Sequence, residues 1–455
     1  MQVHFIAIGG SAMHSLALAL QKKGYRVTGS DDEIFEPSRS KLEQAGLLPE
    51  GWGWYPEKIH KDLDAVILGM HAREDNPELI RARELGLKIY SYPEYLYEQT
   101  KNKIRVVVGG SHGKTTITSM IIHVLTQCGK DFDYMVGAQL EGFDNMVRLS
   151  DNAPLAVFEG DEYLASTLDP RPKFHIYQPN IAIISGIAWD HINVFNSFDV
   201  YVEQFKIFIE KIEPNGTLIY CADDPLVAGI ALIARKDVVS VPYHTHPYRV
   251  IDDEVYLVRG DNLYPVLIFG RHNMQNIAAA KAACQVLGIS DEDFYRAIAS
   301  FKGAARRLQL IASNDYTNIY FDFAHAPSKL TASVKAVKEH FPDRKLVACM
   351  ELHTFSSLSE NFLRQYYGTM EKADLAFVYY NPKVLEAKHL KPITPEMVKK
   401  AFGSKHLTVY TQTHELVEAL KQIEWKGTNL LLMSSGNFDG LNITDLAQNL
   451  VHDYQ

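Results

Sequence analysis

The stretch that most constrains how this chain can fold is residues 106–120, VVVGGSHGKTTITSM. The β-branched run at residues 104–108 is typical of a buried parallel strand. After Lys114, apolar side chains recur at helical spacing, and Gly129 supplies a stop signal. The free N–H groups of a helix N-terminus attract phosphate. The junction therefore predicts a phosphate-binding loop made of Gly110, Ser111, His112, Gly113, Lys114, Thr115 and Thr116.

Two side chains of this loop have separate predicted roles. Lys114 is expected to reach the outer phosphates of a nucleotide, and Thr115 to place its hydroxyl on Mg²⁺. The full P-loop pattern has a glycine where Val108 stands, so this loop is a shorter variant. The alternative is a glycine-rich turn that binds nothing. Because Gly-Lys-Thr-Thr lies at the strand-to-helix junction, the sequence favours the phosphate site.

The length of the chain, 455 residues, is typical of about three domains. Strand patterns alternate with helix patterns in three successive blocks, which is the pattern of parallel sheets. The predicted domains are residues 1–100, 101–303 and 304–455. The predicted fold class is α/β, with a Rossmann-like N-terminal domain, a central P-loop-type parallel sheet domain and a Rossmann-like C-terminal domain.

Composition argues against several other classes of protein. The net charge is −9 and no basic stripe is present, so no nucleic-acid partner is expected. No apolar run is long enough to cross a membrane. The four cysteines are widely spaced with no CxxC pair, which favours reduced core residues over disulfides or a zinc site. The N-terminus MQVHFIAIGG is interpreted as a strand and not as a signal peptide. The predicted location is the cytoplasm.

A second glycine turn, AIGGSAMHS, follows the first predicted strand and opens a helix. Asp31 comes about 20 residues later, after the second strand, where a dinucleotide fold keeps its ribose-binding acid. The pattern predicts a site for a nucleotide or its diphosphate, and a simple tight turn is the alternative. The candidate residues for this site are Gly9, Gly10, Ser11, Met13, Ser30 and Asp31.

Acidic side chains follow two predicted strands of the central block. The stretch PLAVFEGDEY ends in Glu159, Asp161 and Glu162, and IAIISGIAWDH delivers Asp190 and His191 one strand later. Ligands collect at strand ends in such sheets, and carboxylates together with substrate phosphates suit Mg²⁺. A solvated acidic loop and a structural histidine are the alternatives. The candidate metal ligands are Thr115, Glu159 and His191.

The end of the central block, GRHNMQNIAAAKAA, places polar side chains at the start of a helix. Asn273 and Asn276 could pair with an adenine edge, and His272 could stack on its face. Capping of the helix by Asn273 is the alternative, and both can hold.

The third block opens with GAARRLQLI and YFDFAHAPSKL. Arg306 and Arg307 are candidates for phosphate oxygens, since a guanidinium binds them in a fork and stays charged. Asp322 ends a predicted strand and could hold ribose hydroxyls or a basic group, and His325 lies at the following turn. A surface ion pair or a helix cap is the alternative for each.

Together these motifs resemble the Mur ligase family, whose members form amide bonds at the expense of ATP. The resemblance covers essentially the whole chain. In chain order it rests on the glycine turn with Ser30-Asp31, the Gly-Ser-His-Gly-Lys-Thr-Thr loop, Glu159 with Asp190-His191, the Gly270-x-His272-Asn273-x-x-Asn276 helix start, and Arg307 with Asp322-x-x-His325-x-Pro327.

The resemblance implies domains that bind, in order, a UDP-sugar, ATP with Mg²⁺, and the incoming amine. It implies that ATP phosphorylates a substrate carboxylate, that the amine attacks the acyl phosphate, and that phosphate then leaves. The residues to which it gives catalytic roles are Lys114, Glu159, His191 and Arg307. The further ATP contacts that it implies, beyond the phosphate loop and Arg307, are His272, Asn273, Asn276 and Asp322.

The N-terminal glycine turn resembles that of family members acting on UDP-N-acetylmuramate, which add either L-alanine in biosynthesis or a whole tripeptide in recycling. The stretches SDDEIFEPSRSKLEQAGL, DPRPKFHIYQPNIAII and LLMSSGNFDGL resemble the recycling members. The predicted reaction joins UDP-N-acetylmuramate to L-alanyl-γ-D-glutamyl-meso-diaminopimelate, with L-alanine as the alternative amine. Alternatives of other classes are a non-catalytic nucleotide or UDP-sugar sensor, and an NAD-dependent oxidoreductase that would leave the phosphate loop unexplained.

Overall fold

The computed structural model describes residues 1–140, 142–189 and 194–452. These residues form two compact units. Unit 1 consists of Met1–Ile187, Ser197–His244 and Ala278–Ile298. Unit 2 holds the other described residues, chiefly Thr245–Ile277 and those from Ala299 onward. The parallel sheets predicted for the three blocks are present in these units.

The first sheet of unit 1 has four parallel strands in the order β2-β1-β3-β4. Strand β1, one of the two inner strands, is buried from Val3 to Ile6, as expected of a strand covered on both faces. The strands are β1 Gln2–Ile6, β2 Arg26–Ser30, β3 Ala65–Leu68 and β4 Ile89–Ser91. The helices of this part are α1 Ser11–Lys22, α2 Ser38–Gln44, α3 Pro77–Glu84 and α4 Tyr92–Thr100, with a 3₁₀ turn at Pro56–Lys58.

The second sheet of unit 1 has seven strands in the order β11-β10-β9-β5-β8-β6-β7, parallel except for the pair β6–β7. Because β5 lies between β9 and β8, the loop that follows it lies at the middle of the sheet's carboxyl edge. The strands are β5 Ile104–Gly109, β6 Phe132–Met135, β7 Val147–Arg148, β8 Leu155–Glu159, β9 Ile181–Ile184, β10 Thr217–Cys221 and β11 Val239–Tyr243. The helices are α5 Lys114–Gln127, α6 Lys173–Ile176, α7 Phe198–Glu210 and α8 Pro225–Ala231.

Arg105, in β5, is a buried cation that joins α4 to the central sheet. Its side chain is 2% exposed, and it pairs with Glu213 at 2.9 Å. Its remaining N–H groups donate to the backbone carbonyls of Thr100, Lys101, Lys103, Tyr177 and Gln178, over 2.8–3.0 Å. A buried guanidinium is tolerated here because its donors are matched by acceptors.

Unit 2 contains a three-stranded antiparallel sheet that the sequence analysis did not predict. Its strands are β12 Tyr248–Ile251, β13 Glu254–Arg259 and β14 Asn262–Val266. Asp252 and Asp253, at the first turn, have φ angles of 50° and 61°. A two-residue turn in which both residues have positive φ matches the twist of the two strands of a hairpin. The pair Asp252-Asp253 between two β-branched runs was therefore the sequence pattern that could have predicted this hairpin. Helix α9 Arg271–Val286 follows along the chain, and the next helix, α10 Asp291–Ile298, belongs to unit 1.

The largest sheet of unit 2 has six strands in the order β15-β16-β20-β17-β18-β19, parallel except for the edge pair β15–β16. Its strands are β15 Gln309–Ser313, β16 Asn318–Asp322, β17 Lys345–Glu351, β18 Leu375–Tyr379, β19 Leu407–Tyr410 and β20 Thr428–Met433. Its helices are α11 Pro327–His340, α12 Glu360–Leu363, α13 Pro382–Ala387, α14 Pro395–Phe402, α15 Thr413–Lys421 and α16 Ile443–His452, with a 3₁₀ turn at Arg364–Tyr366. Trp425 anchors a core on one face of this sheet.

Among the residues described, no helix combines the length and the apolar character that a membrane crossing needs.

Candidate active site

The phosphate loop has the strand–turn–helix geometry that the sequence predicts. Strand β5 ends at Gly109, and α5 begins at Lys114 after Gly113, whose φ is 74°. Gly110 has a φ of 130°, and a Cβ there would lie 2.2 Å from Ser185 Oγ. The Ser111 N–H donates to the carbonyl of Gly186 over 2.8 Å. Glycine is therefore required at 110 both for the turn and for close approach to the residues that follow β9.

Lys114 is held on the loop by two acceptors. Its Nζ donates to the carbonyl of Gly110 at 2.7 Å and to Glu162 Oε2 at 2.6 Å. Burial alone would lower the pKa of Lys114, but Glu162, Asp161 and Glu159 act against burial and raise the pKa above its usual value. The lysine therefore stays protonated and keeps a cation at the N-terminus of α5.

Thr115 and Glu159, two of the three predicted metal ligands, are in direct contact. Thr115 Oγ1 donates to Glu159 Oε1 at 2.9 Å, and Glu159 Oε2 accepts from the N–H of Gly137 at 2.7 Å. A hydroxyl and a carboxylate at the phosphate loop fit Mg²⁺, which takes few protein ligands and several phosphate or water oxygens. The third predicted ligand, His191, and its neighbour Asp190 lie outside the described residues.

Asp161, another acid after strand β8, has a partner of its own. Asp161 Oδ2 pairs with Lys173 Nζ at 2.7 Å. Within the described part of the chain, His, Cys, Asp and Glu side chains form no group of three able to hold a metal ion. The oxygen pair Thr115 and Glu159 fits a Mg²⁺ ion that takes its other ligands from phosphate and water.

Tyr201 is a member of this site that sequence reasoning missed. It lies in α7, is fully buried, and donates its hydroxyl to Glu162 Oε1 at 3.0 Å. Its Oη is also 2.7 Å from Ser111 Oγ. In FDVYVEQFKIFIE the helical spacing marks Tyr201 only as a member of the buried face. The sequence held no signal for its polar role.

The N-terminal glycine turn is fixed by the acid predicted to bind ribose. The Gly9 N–H donates to Asp31 Oδ2 at 2.7 Å, and a Cβ on Gly9 would lie 2.6 Å from Ile34. Burial raises the pKa of Asp31 to about 6, although the hydrogen bond from Gly9 opposes that rise. The other candidates lie around this turn: Gly10 precedes α1, Ser11 begins it, Met13 is buried in its first turn, and Ser30 ends β2.

In unit 2, the predicted adenine-binding side chains lie in the first turns of α9. Asn273 Nδ2 donates to the carbonyl of Phe269 at 2.8 Å, and Asn276 Nδ2 lies 3.4 Å from Asn273 Oδ1. Because α9 begins at Arg271, Asn273 is inside the helix, and N-terminal capping is not the interaction it makes. Burial lowers the pKa of His272, with Asp322 opposing that shift.

Arg306 and Arg307 precede the first strand of the six-stranded sheet, β15, and Asp322 ends its second strand, β16. Asp322 ends β16 and accepts a hydrogen bond from the Ser333 hydroxyl in α11. The Arg307 guanidinium lies 4.6 Å from the centroid of the Phe323 ring. Arg306 lies 4.9 Å from that of Phe321, and it also donates to the carbonyl of Gly436. Arg306 therefore reaches the loop that follows β20.

Glu351 organises that loop and was not among the predicted site residues. It is 3% exposed at the end of β17. Its Oε2 accepts from the Ser434 hydroxyl and from the N–H of Phe438, the latter at 2.9 Å. Burial opposes its ionisation, but hydrogen bonds from His353, Ser434 and Phe438 lower the pKa of Glu351 overall. The LLMSSGNFDGL stretch is thus folded onto a buried carboxylate.

The Arg171 segment, which the sequence analysis associated with recycling members, lies in unit 1. Arg171 pairs with Asp169 at 2.7 Å and with Glu94 of α4 at 2.8 Å. These contacts fasten α4 to the loop before α6. They give this segment a structural role within unit 1.

Comparison with known families assigns three successive parts of the chain to one group. The Mur ligase family catalytic domain matches residues 2–103, the Mur ligase middle domain matches residues 108–284, and the Mur ligase glutamate ligase domain matches residues 306–436.

Named relatives extend over nearly the same range. The UDP-N-acetylmuramate–L-alanine ligase of Limosilactobacillus reuteri is 30% identical over 390 residues, which cover 82% of this chain and 84% of the relative. The UDP-N-acetylmuramate–L-alanyl-gamma-D-glutamyl-meso-2,6-diaminoheptandioate ligase of Haemophilus influenzae is 26% identical, with 97% of each chain covered.

Solved structures share the fold. The UDP-N-acetylmuramate–alanine ligase of Thermotoga maritima has a TM-score of 0.72 at 22% identity, covering 100% of this chain and 99% of that one. The murein peptide ligase of Psychrobacter arcticus has a TM-score of 0.67 at 24% identity, with 99% of both chains covered. The three-domain α/β architecture is that of these ligases. The chain belongs to the Mur ligase family and is an ATP-dependent ligase that forms a carbon–nitrogen bond.

Proposed function

We propose that this chain joins UDP-N-acetylmuramate to the tripeptide L-alanyl-γ-D-glutamyl-meso-diaminopimelate, with ATP as the energy source. The observation that carries the ATP-dependent step is the protonated Lys114 at the N-terminus of α5, beside the Thr115–Glu159 oxygen pair. UDP-N-acetylmuramate is the acid because both kinds of named relative use it. Domain boundaries at residues 100 and 303, with sugar, nucleotide and amine bound in that order, are part of the proposal.

The proposed reaction has two steps. The lactyl carboxylate of the sugar attacks the γ-phosphorus of ATP, which gives an acyl phosphate and ADP. The neutral amine then attacks the acyl carbon, and its nitrogen loses one proton as the amide bond forms. Inorganic phosphate leaves with one former carboxylate oxygen and takes up that proton. Mg²⁺, when bound, offsets charge on the phosphate oxygens. Lys114 holds the transferring phosphoryl group, and the N–H groups that begin α5 cradle its oxygens.

The remaining residues have supporting roles. Thr115, Glu159 and His191 are proposed to hold the metal ion, and Arg307 to bind a phosphate oxygen. His272, Asn273, Asn276 and Asp322 are proposed to contact the base and ribose of ATP. The turn fixed by Gly9 and Asp31 is proposed to receive the UDP group, with Gly10, Ser11, Met13 and Ser30.

The choice of a tripeptide rests on the loop that follows β20. This loop resembles that of the recycling members, and it is folded onto the buried Glu351. Arg306 donates to Gly436 of the same loop, so a cation and a carboxylate lie beside it. A tripeptide has carboxylates and a second ammonium that can pair with such groups, and their binding can position the attacking amine. L-Alanine has one carboxylate and no second ammonium, so it offers fewer groups for such pairing.

L-Alanine is the second candidate amine, because relatives that are 28–30% identical have that substrate in their names. A competition between tripeptide and L-alanine at equal concentration, with ATP, Mg²⁺ and UDP-N-acetylmuramate, separates the two. We expect the tripeptide adduct to dominate when the products are resolved by mass. Dominance of the alanine adduct would replace the proposed amine and leave the ATP site unaffected.

A matched pair of variants tests the amine loop itself. Glu351→Gln should raise the KM for the tripeptide, since it loosens the loop, without changing the affinity for nucleotide. Glu360→Gln, at an exposed glutamate of the same unit, should change neither. An unchanged tripeptide KM in Glu351→Gln would remove this loop from the proposed amine site.

A further inference from the structure

We propose that Tyr201 is a positioning residue that acts through Glu162 to let Lys114 move from its resting partner to the phosphates of ATP. This inference rests on the proposed nucleotide site and adds a residue to it. Tyr201 belongs to α7, not to the phosphate loop, and its side chain is fully buried.

The hydrogen bonds around Tyr201 run in one direction. Its single hydroxyl proton goes to Glu162 Oε1 at 3.0 Å. The 2.7 Å contact with Ser111 must therefore use the proton of the Ser111 hydroxyl. Glu162 Oε2 accepts from Lys114 at 2.6 Å. The donations from Ser111 through Tyr201 and from Lys114 therefore converge on Glu162, and both begin in the phosphate loop.

The burial of Glu162 makes the release of Lys114 energetically costly. Its side chain is 1% exposed, whereas that of Lys114 is 13% exposed and so has an open side. When Lys114 turns to a phosphate, the buried carboxylate loses its ion-pair partner, which is costly unless other donors remain. Tyr201 is such a donor, and it is worth more to an unpaired carboxylate than to a paired one. Tyr201 therefore reduces the free energy needed to release the lysine.

Removing the hydroxyl alone tests this role. Tyr201→Phe keeps the ring and its edge contact with Phe205, whose centroid is 5.3 Å away. The dissociation constant of MgATP is measured by calorimetry on the full-length chain without amine. We expect it to rise several-fold and by no more than roughly ten-fold, because only the strengthening of this hydrogen bond on release of Lys114 contributes, and a whole hydrogen bond to a charged group is worth about ten-fold or more. The kcat at saturating ATP should change by less than about two-fold, as for an effect on binding alone.

The matched control is Tyr380→Phe, which removes another buried hydroxyl that donates over 2.9 Å to the carbonyl of Ile393. It should leave the MgATP dissociation constant unchanged. A second measurement places Tyr201→Phe in a Glu162→Gln background, where no carboxylate remains to be left unpaired. There the substitution should weaken MgATP binding much less, because the two side chains act on one another.

Three results would overturn the role of Tyr201. They are an unchanged MgATP affinity in Tyr201→Phe, an equal loss in Tyr380→Phe, and an equal loss with or without Glu162. Because the binding measurement needs no amine, an enzyme that accepts neither tripeptide nor L-alanine would refute the proposed function while still testing Tyr201.

Discussion

Replacing Lys114 by methionine changes two things at once in this structure. It removes the cation at the N-terminus of α5, and it leaves Glu162 without the ammonium that lies 2.6 Å from its Oε2. Methionine keeps most of the side-chain volume, so the packing changes little. The loss of activity and the loss of stability therefore have separate physical causes and can be measured separately.

The magnitudes follow from these contacts. Loss of a charge-assisted contact to a developing anion should lower the ligation rate by about 10²–10³-fold, or about 2.7–4 kcal/mol. Breaking a buried ion pair by removing one partner typically costs about 3–5 kcal/mol of folding free energy. Tyr201 still donates to Glu162, so we expect the stability loss near the lower end, about 3 kcal/mol.

The assay compares Lys114→Met with the double variant Lys114→Met/Glu162→Gln. Phosphate release with UDP-N-acetylmuramate and the tripeptide measures activity, and urea unfolding measures stability. The double variant should recover most of the lost stability, because no unpaired carboxylate remains, yet it should stay inactive. UDP-sugar binding should be retained by both. Ligation by Lys114→Met at a near wild-type rate would refute the assignment of the loop, and recovery of activity in the double variant would show that the lysine acts through stability alone.

Three further predictions concern other parts of unit 1. Gly110→Ala should abolish nucleotide binding, measured by calorimetry, because its Cβ would lie 2.2 Å from Ser185 Oγ, whereas Gly129→Ala, with no atom within 4 Å of its Cβ, should retain binding. Burial raises the pKa of Asp31 from 3.8 to about 6, so the folded chain binds this proton more tightly and its contribution to stability falls as pH rises through that window. Asp31→Asn should therefore flatten the pH dependence of urea unfolding between these values, and an unchanged pH dependence would contradict this assignment. Arg105→Met should cost about 3–5 kcal/mol in urea unfolding, whereas the exposed Arg296→Met should cost about 1 kcal/mol or less.

The sequence predicted those parts of the fold in which local pattern and tertiary packing agree. The junction around Lys114 is correct because strand, glycine turn and helix each have their own signal. The helix start predicted within GRHNMQNIAAAKAA is also correct, since α9 begins there at Arg271. The sheet β12–β14 was missed because its strands are short and largely exposed.

The site was predictable as far as single motifs define it. Glu159 meets Thr115 as expected, because strands β8 and β5 are neighbours in a parallel sheet. Tyr201 and Glu351 were not predicted, because their importance lies in hydrogen bonds to residues that are remote in sequence. The Arg171 segment resembles that of recycling members in sequence, and the contacts that the structure adds are its ion pairs with Asp169 and Glu94.

The buried Arg105 also determines where this chain can be recombined with a relative. A crossover between Thr100 and Lys101, at the predicted end of the first domain, would pass through the row of carbonyl groups that this one guanidinium satisfies. If the chain joined at this point has no arginine at the matching position, backbone carbonyls that Arg105 now satisfies would be buried without a hydrogen-bond donor, and the chimera would be destabilised. The exchangeable piece therefore ends before α4, and a first domain transplanted with its own α4 has to bring the arginine with it.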